Sequence, residues 1–241
     1  MEGLTTASLG KPDYNLALKQ HEAYIEALRS CGVEITLLEA NDKFPDSCFV
    51  EDAALCTKRN AIITRPGVIN RLGEAELPDL RAALEEYYKD IDTIKEPGTV
   101  DAGDIMMVGG HFYIGLSGRT NEEGAKQMIK ILEKFGFTSS TVELKEILHL
   151  KTGLSYIENN NLLISGQFAD NPAFSSFNLI EIDSDEAYAA NCVWVNGNVI
   201  IPDGYPKTKR KIEDLGYKVL LVDTSEFKKI DGGLSCLSLR F

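Results

Sequence analysis

Cysteine pairs at metal-binding or redox spacing are missing from this sequence. Its five cysteines, Cys31, Cys48, Cys56, Cys192 and Cys236, are odd in number and form no CxxC motif. That argues against a disulfide framework and a structural zinc site, and unpaired thiols point to a reducing compartment, the cytoplasm. No apolar run reaches 18 residues, and no basic segment precedes an apolar one at the amino terminus. Neither a membrane span nor a secretory signal is therefore expected, and no membrane partner. Positive charge is also short: 25 Lys and Arg against 37 Asp and Glu give a formal charge of −12. Such a chain repels phosphate backbones, which argues against nucleic acid as a partner. Carboxylates gathered in a cleft would still attract a small cation.

What is present is an ordinary globular composition, 44% hydrophobic with 20 Gly, over 241 residues. Apolar residues recur at helical spacing over residues 12–31, where Pro12 suits the first turn and Gly32 the stop. Similar helices are expected over 74–88, 121–135 and 205–215. Between them lie β-rich runs, EITLLE, FVEDAALC, NAIITRP, IMMVGGHFYIGL, LSYIENNNLLISG, CVWVNGNVIIP and KVLLVDT. MMVGGHFYIG, YIENNNLLIS and VWVNGNVII read as hairpins, with Gly or Asn where positive φ is cheap.

These hairpins open at Phe49, Asp104, Leu154 and Cys192, roughly 40 to 50 residues apart, each followed by a helix or long connection and another strand. The reading is an α/β fold, a single catalytic domain over 1–241 built as a five-bladed pseudo-symmetric ββαβ propeller. The fifth unit, LSCLSLRF from Gly233, has only one strand. An amino-terminal strand is expected to have been lost, since closing a propeller commonly joins the two chain ends.

Few residues could do chemistry. Of three histidines, His21 reads as a polar position on the first helix and His111 as an exposed turn residue. His149 lies between leucines at the start of a hairpin and by itself reads as a hydrogen-bonded core residue. Cys236 occupies the equivalent place two units later. In a pseudo-symmetric ring such strand starts converge, so thiol and imidazole could meet as a nucleophile–base pair does. FPDSCFVED brings Asp46, Glu51 and Asp52, and TVDAGDIMM brings Asp101 and Asp104; each alone reads as turn or strand-edge chemistry. Together they describe a pocket with carboxylates, an imidazole and a thiol. Carboxylates pair with a planar guanidinium, a thiolate attacks an electrophilic carbon, and an imidazole can give a proton to a leaving amine. C–N cleavage of a guanidino compound through a covalent thiouronium follows.

FPDSCFVEDAAL, TVDAGDIMMVGGHFYIGLSGRTN, LHLKTGLSY and KIDGGLSCLSLRF closely resemble the dimethylarginine dimethylaminohydrolases of the guanidine-modifying superfamily, in order and with no large insertion. The resemblance implies hydrolysis of asymmetric dimethylarginine or monomethylarginine to citrulline and a methylamine. It implies Cys236 as nucleophile, His149 as general acid and then base, and Asp101 as the acid that binds the guanidinium and orients His149. It matches Asp52 to the guanidinium-binding carboxylate and Asp46 to a residue near the amino-acid end. Arg71 and Arg119 match arginines that hold the α-carboxylate, Leu4 a lid residue, and Ile230 a residue lining the same end. Phe49 is a candidate wall around the methylated nitrogen, and equally a core aromatic. The bacterial-type pattern has Glu where Asp101 stands.

No cofactor or metal is implied, because the substrate brings the positive charge, although zinc could bind Cys236 and His149 adventitiously. Carboxylates beside the thiol should keep it largely neutral until a guanidinium arrives. The partner is a small-molecule substrate; a homodimer stays open. Arginine deiminase of the same fold and a non-catalytic propeller binding module are the competing readings.

Overall fold

A computed structural model describes residues 4–145 and 147–241; the first three residues of the loop-like opening stretch lie outside them. The chain divides into two compact units. One comprises residues 36–150 with 236–241, the other residues 4–35 with 151–235. Each holds two three-stranded sheets of the same order, an antiparallel hairpin followed by a parallel third strand.

The second unit opens with α1 (Tyr14–Ser30), capped by the Asp13 side chain, which accepts from Leu16 N. In the first unit, β1 (Ala54–Cys56) and β2 (Ala61–Ile63) form a hairpin; α2 (Pro78–Tyr87) then leads to β3 (Ile91–Thr93), parallel to β2. Its other sheet repeats this with β4 (Ile105–Val108), β5 (His111–Leu116), α3 (Glu122–Lys134) and β6 (Thr138–Glu143). Asn121 caps α3 by accepting from Gly124 N, and Ala125, Met128 and Leu132 bury one face in a core with Ile105, Phe112 and Ile114.

The second unit continues with β7 (Leu154–Tyr156), β8 (Asn161–Ile164) and β9 (Asn178–Glu181), the last two joined by short 3-10 turns instead of a helix. Its other sheet has β10 (Val193–Val195), β11 (Asn198–Pro202), α4 (Pro206–Asp214) and β12 (Lys218–Val222). The β10–β11 turn is Asn196-Gly197, both at positive φ (47° and 82°), the geometry that lets a two-residue turn follow the strand twist. A short helix, α5 (Ser225–Lys228), packs with β12 against α1.

The four expected helices and four expected hairpins are present. Two expected strands are not. EITLLE, residues 34–39, has no strand pairing, and LSCLSLRF forms a 3-10 turn, Ser235–Leu237, followed by unpaired chain. Both runs are apolar enough to pack without a ladder: Leu38 and Leu239 lie against the core of Ala54, Ile63, Leu80 and Leu84. The third strands β3, β6 and β9 were harder to read, since IDT, TSSTVE and NLIE lie at sheet edges and are largely exposed. His21 is half-buried beside Phe227, and His111 hydrogen bonds Thr138 and Ser140 across β5 and β6. Among the described residues no helix is long and apolar enough to cross a membrane.

Candidate active site

The polar residues of the first unit sit just before its hairpins. Two 3-10 turns, Pro45–Cys48 and Val50–Ala53, deliver Asp46, Phe49 and Asp52 to the start of β1. A third, Ala102–Asp104, follows Asp101 and runs into β4. Strands carry side chains to alternate faces, whereas a tight turn turns several inward at once; Asp46, Glu51, Asp52, Asp101 and Asp104 are all buried.

Asp52 is held from both sides. Its Oδ2 accepts from Arg71 Nη1 at 2.6 Å, and its Oδ1 accepts from Gly103 N at 3.0 Å. Arg71, in the 3-10 segment Ile69–Glu74, also gives Nε and Nη2 to the Glu74 carboxylate and Nη2 to the carbonyls of Asp46 and Phe49. Arg71 is thus a buried brace for this loop and for Asp52. Burial pushes the Asp52 carboxyl up, but the charges of His149 and Arg71 and the bonds from Arg71 and Gly103 bring it below its ordinary value. Glu74 goes the other way, because burial outweighs its bonds to Arg71.

Asp101 connects three groups. Oδ1 accepts from Gly67 N at 2.8 Å, Oδ2 faces His149 Nε2 at 3.0 Å, and Arg119 Nη1 lies 4.0 Å from Oδ2. His149 Nδ1 has no hydrogen-bond partner among the described residues. Burial alone would depress the imidazole; the charge of Asp52, the bond to Asp101 and the charges of Asp104 and Asp101 outweigh it and lift the pKa to about 9. His149 is therefore an imidazolium at neutral pH, held among carboxylates.

Two close approaches demand glycine. A Cβ at Gly103 would lie 2.7 Å from Asp52 Oδ1 and 3.0 Å from His149 Nδ1, and one at Gly67 would overlap the Arg119 backbone. Asp52, Asp101 and His149 each bring one oxygen or ring nitrogen to within 4.8 Å of the others, a set in which the neutral imidazole, but not the imidazolium, could help to hold a cation.

Cys236, half-buried, belongs to the same compact unit. The chain beyond it is fastened there: Leu239 packs on the first sheet's core, Arg240 Nη2 donates to Glu51 Oε1 at 2.8 Å, and Phe241 meets the rings of Tyr87 and Tyr88. This tie runs to Glu51, the neighbour of Asp52. Leu4 and Ile230 fall in the other unit, where Thr5 and Thr6 bond to Lys229 and Asp231. Sequence reading passed over Glu74, Gly103 and the environment of Asp104. Glu74 follows Arg71 by three positions, a spacing common in exposed helical pairs, so nothing in the string marked it as buried.

Comparison with known proteins gives this chain its relatives. The model of a family described as "N,N dimethylarginine dimethylhydrolase, eukaryotic" matches residues 10–169. An N(G),N(G)-dimethylarginine dimethylaminohydrolase of Pseudomonas aeruginosa is 60% identical over 242 residues, covering 100% of this chain and 94% of the relative. A solved Pseudomonas aeruginosa structure, a cysteine-to-serine variant complexed with citrulline, superposes with TM-score 0.98 at 60% identity, covering 99% of this chain and 93% of that one. A dimethylarginine dimethylaminohydrolase solved as a histidine-to-glycine adduct with S-methyl-L-thiocitrulline gives TM-score 0.97 at 60% identity, covering 99% and 94%.

Proposed function

The chain belongs to the dimethylarginine dimethylaminohydrolase family, and from that premise we propose that it hydrolyses asymmetric dimethylarginine and monomethylarginine to citrulline and the corresponding methylamine. The observation that carries this reading is the buried set of Asp52, Asp101 and His149, two carboxylates and an imidazolium facing one small space. The cysteine and histidine replaced in the two relatives' structures are separated along the chain by the same number of positions as Cys236 and His149, which supports those two assignments.

In the proposed sequence the guanidinium enters opposite Asp52 and Asp101, whose charges match its own. Its arrival stabilises the Cys236 thiolate, which adds to the guanidinium carbon. His149 gives its proton to the departing dimethylamine, leaving a Cys-thiouronium. Water then adds to that carbon, His149 takes one of its protons, and the adduct releases its hydroxyl proton to solvent as it collapses to citrulline and the thiolate. Asp101 holds Nε2, so Nδ1 is the nitrogen left to exchange the proton. Arg119 is assigned to the substrate's α-carboxylate. Arg71 serves that end as well only if it gives up part of its present hydrogen bonding. Asp46 is assigned to the amino-acid end and Phe49 to the wall beside the methyl groups.

The same proposal treats 1–241 as one catalytic domain, a five-bladed ββαβ propeller acting in the cytoplasm; the fourfold recurrence of one sheet order supports the repeat. Incubation with asymmetric dimethylarginine should yield citrulline and dimethylamine in equal amounts. Cys236→Ser should lower turnover by about 10⁴-fold or more, since a hydroxyl is a far weaker nucleophile than a thiolate. Ammonia in place of dimethylamine from arginine would mark a deiminase, and full turnover by Cys236→Ser would remove the nucleophile.

A further inference from the structure

Asp104 is fully buried one residue before β4, and the groups bonded to its carboxylate are donors. Its Oδ1 accepts from Leu150 N at 3.0 Å, the amide directly after His149. Its Oδ2 accepts from Ser117 Oγ and Thr120 Oγ1, both at 2.7 Å. Those hydroxyls frame the turn that carries Arg119. Ser117 Oγ in turn accepts from Arg119 N at 2.9 Å and Thr120 N at 3.1 Å, and Thr120 Oγ1 accepts from Asp101 N at 3.2 Å.

We propose that Asp104 is a positioning residue that sets two ends of the substrate site with one carboxylate, fixing the His149 backbone through Leu150 and the Arg119 turn through Ser117 and Thr120. The inference rests on the roles given above to His149 and Arg119. A carboxylate suits this place because three donors converge on it from different chain segments. An amide would offer one acceptor oxygen, and its NH₂ would face Ser117 Oγ, already filled by two backbone amides. Burial leaves the lost bonds without water to replace them.

The two arms are separable by kinetics. The parent enzyme and its Asp104→Asn and Ser117→Ala variants would be assayed on asymmetric dimethylarginine and on an alkyl dimethylguanidine that lacks the amino-acid end. In Asp104→Asn, kcat should fall at least about tenfold on both substrates, as expected when a proton-transfer group is displaced. KM should rise about tenfold for dimethylarginine and stay within about twofold for the alkyl compound, which has no carboxylate for Arg119 to hold. Ser117→Ala removes the Ser117 part of the arm toward Arg119 and leaves Leu150 bound, so KM for dimethylarginine should rise about threefold to tenfold while kcat falls less than in Asp104→Asn. Equal changes of KM on the two substrates in Asp104→Asn would overturn the proposal. So would an unchanged KM for dimethylarginine in Ser117→Ala, which decides the matter if Asp104→Asn does not fold. Absence of turnover in the parent enzyme would be a different failure, that of the functional reading itself.

Discussion

Each compact unit carries a network of charged side chains, one of them deeply buried and the other exposed. In the first unit Asp52, Arg71 and Glu74 are buried, with Arg71 Nη1 2.6 Å from Asp52 and Nη2 2.7 Å from Glu74. In the second, Lys207 and Lys211 meet Asp183 and Asp185 at 2.5 to 3.3 Å, with each side chain substantially exposed. The distances are alike; the surroundings are not. Taking an ion out of water costs several kcal/mol, and a pair often fails to recover it, so a buried triad is a poor stabiliser compared with packed apolar residues. The exposed pairs cost little and gain little. Charges kept where they are expensive ask for a reason, and the proposed catalytic role of Asp52, which lies beside Gly103 and His149, would supply one.

Removing the cation from the buried network should have the largest effect. Arg71→Met leaves the buried Glu74 carboxylate without its cation and Asp52 with only His149 and the Gly103 amide, and stability to urea should fall by about 3–5 kcal/mol. Adding Asp52→Asn and Glu74→Gln to that variant should restore much of the stability and none of the activity. If Arg71→Met proved no worse than a surface substitution, the contrast between the two networks would be broken.

His149 sharpens the comparison through pH. Its folded pKa of about 9 lies above the ordinary 6.5, so the imidazolium's stabilisation is fully present below about 6.5. It declines between the two values and is gone above about 9. The stability gap between the parent and His149→Gln should therefore be widest near pH 6 and should close by pH 10. A gap that does not vary with pH would mean the ring is not held as a cation.

The smallest effect belongs to the exposed network. Lys211→Ala should leave the thermal midpoint within measurement scatter at moderate salt, since exposed pairs are screened and many contribute nothing measurable. A clear loss of stability there would show that exposure is not what separates the two regions.

Much of this was legible in the string. The helices announced themselves by period and by end signals such as Pro12 and Gly32, and the hairpins by Asn and Gly at their turns. The site residues could be named because long motifs such as TVDAGD and GGLSC hold type and order together. What the string withheld was pairing and depth. LSCLSLRF alternates like a strand, yet Cys236 lies in a 3-10 turn, because Arg240 and Phe241 find anchors at Glu51 and at Tyr87 and Tyr88 without a ladder. Arg71 read as a surface cation or a carboxylate ligand; only the fold reveals Glu74 and the carbonyls of Asp46 and Phe49 closing around it. β6 escaped because TSSTVE has one buried side chain, Val142, and no apolar run to betray it.

Gly103 has a bearing on how this protein can drift. The Asp52 anion and the imidazole both lie against the bare main chain of Gly103. A single added methyl group at position 103 would press on both groups at once, so one of them would have to give way.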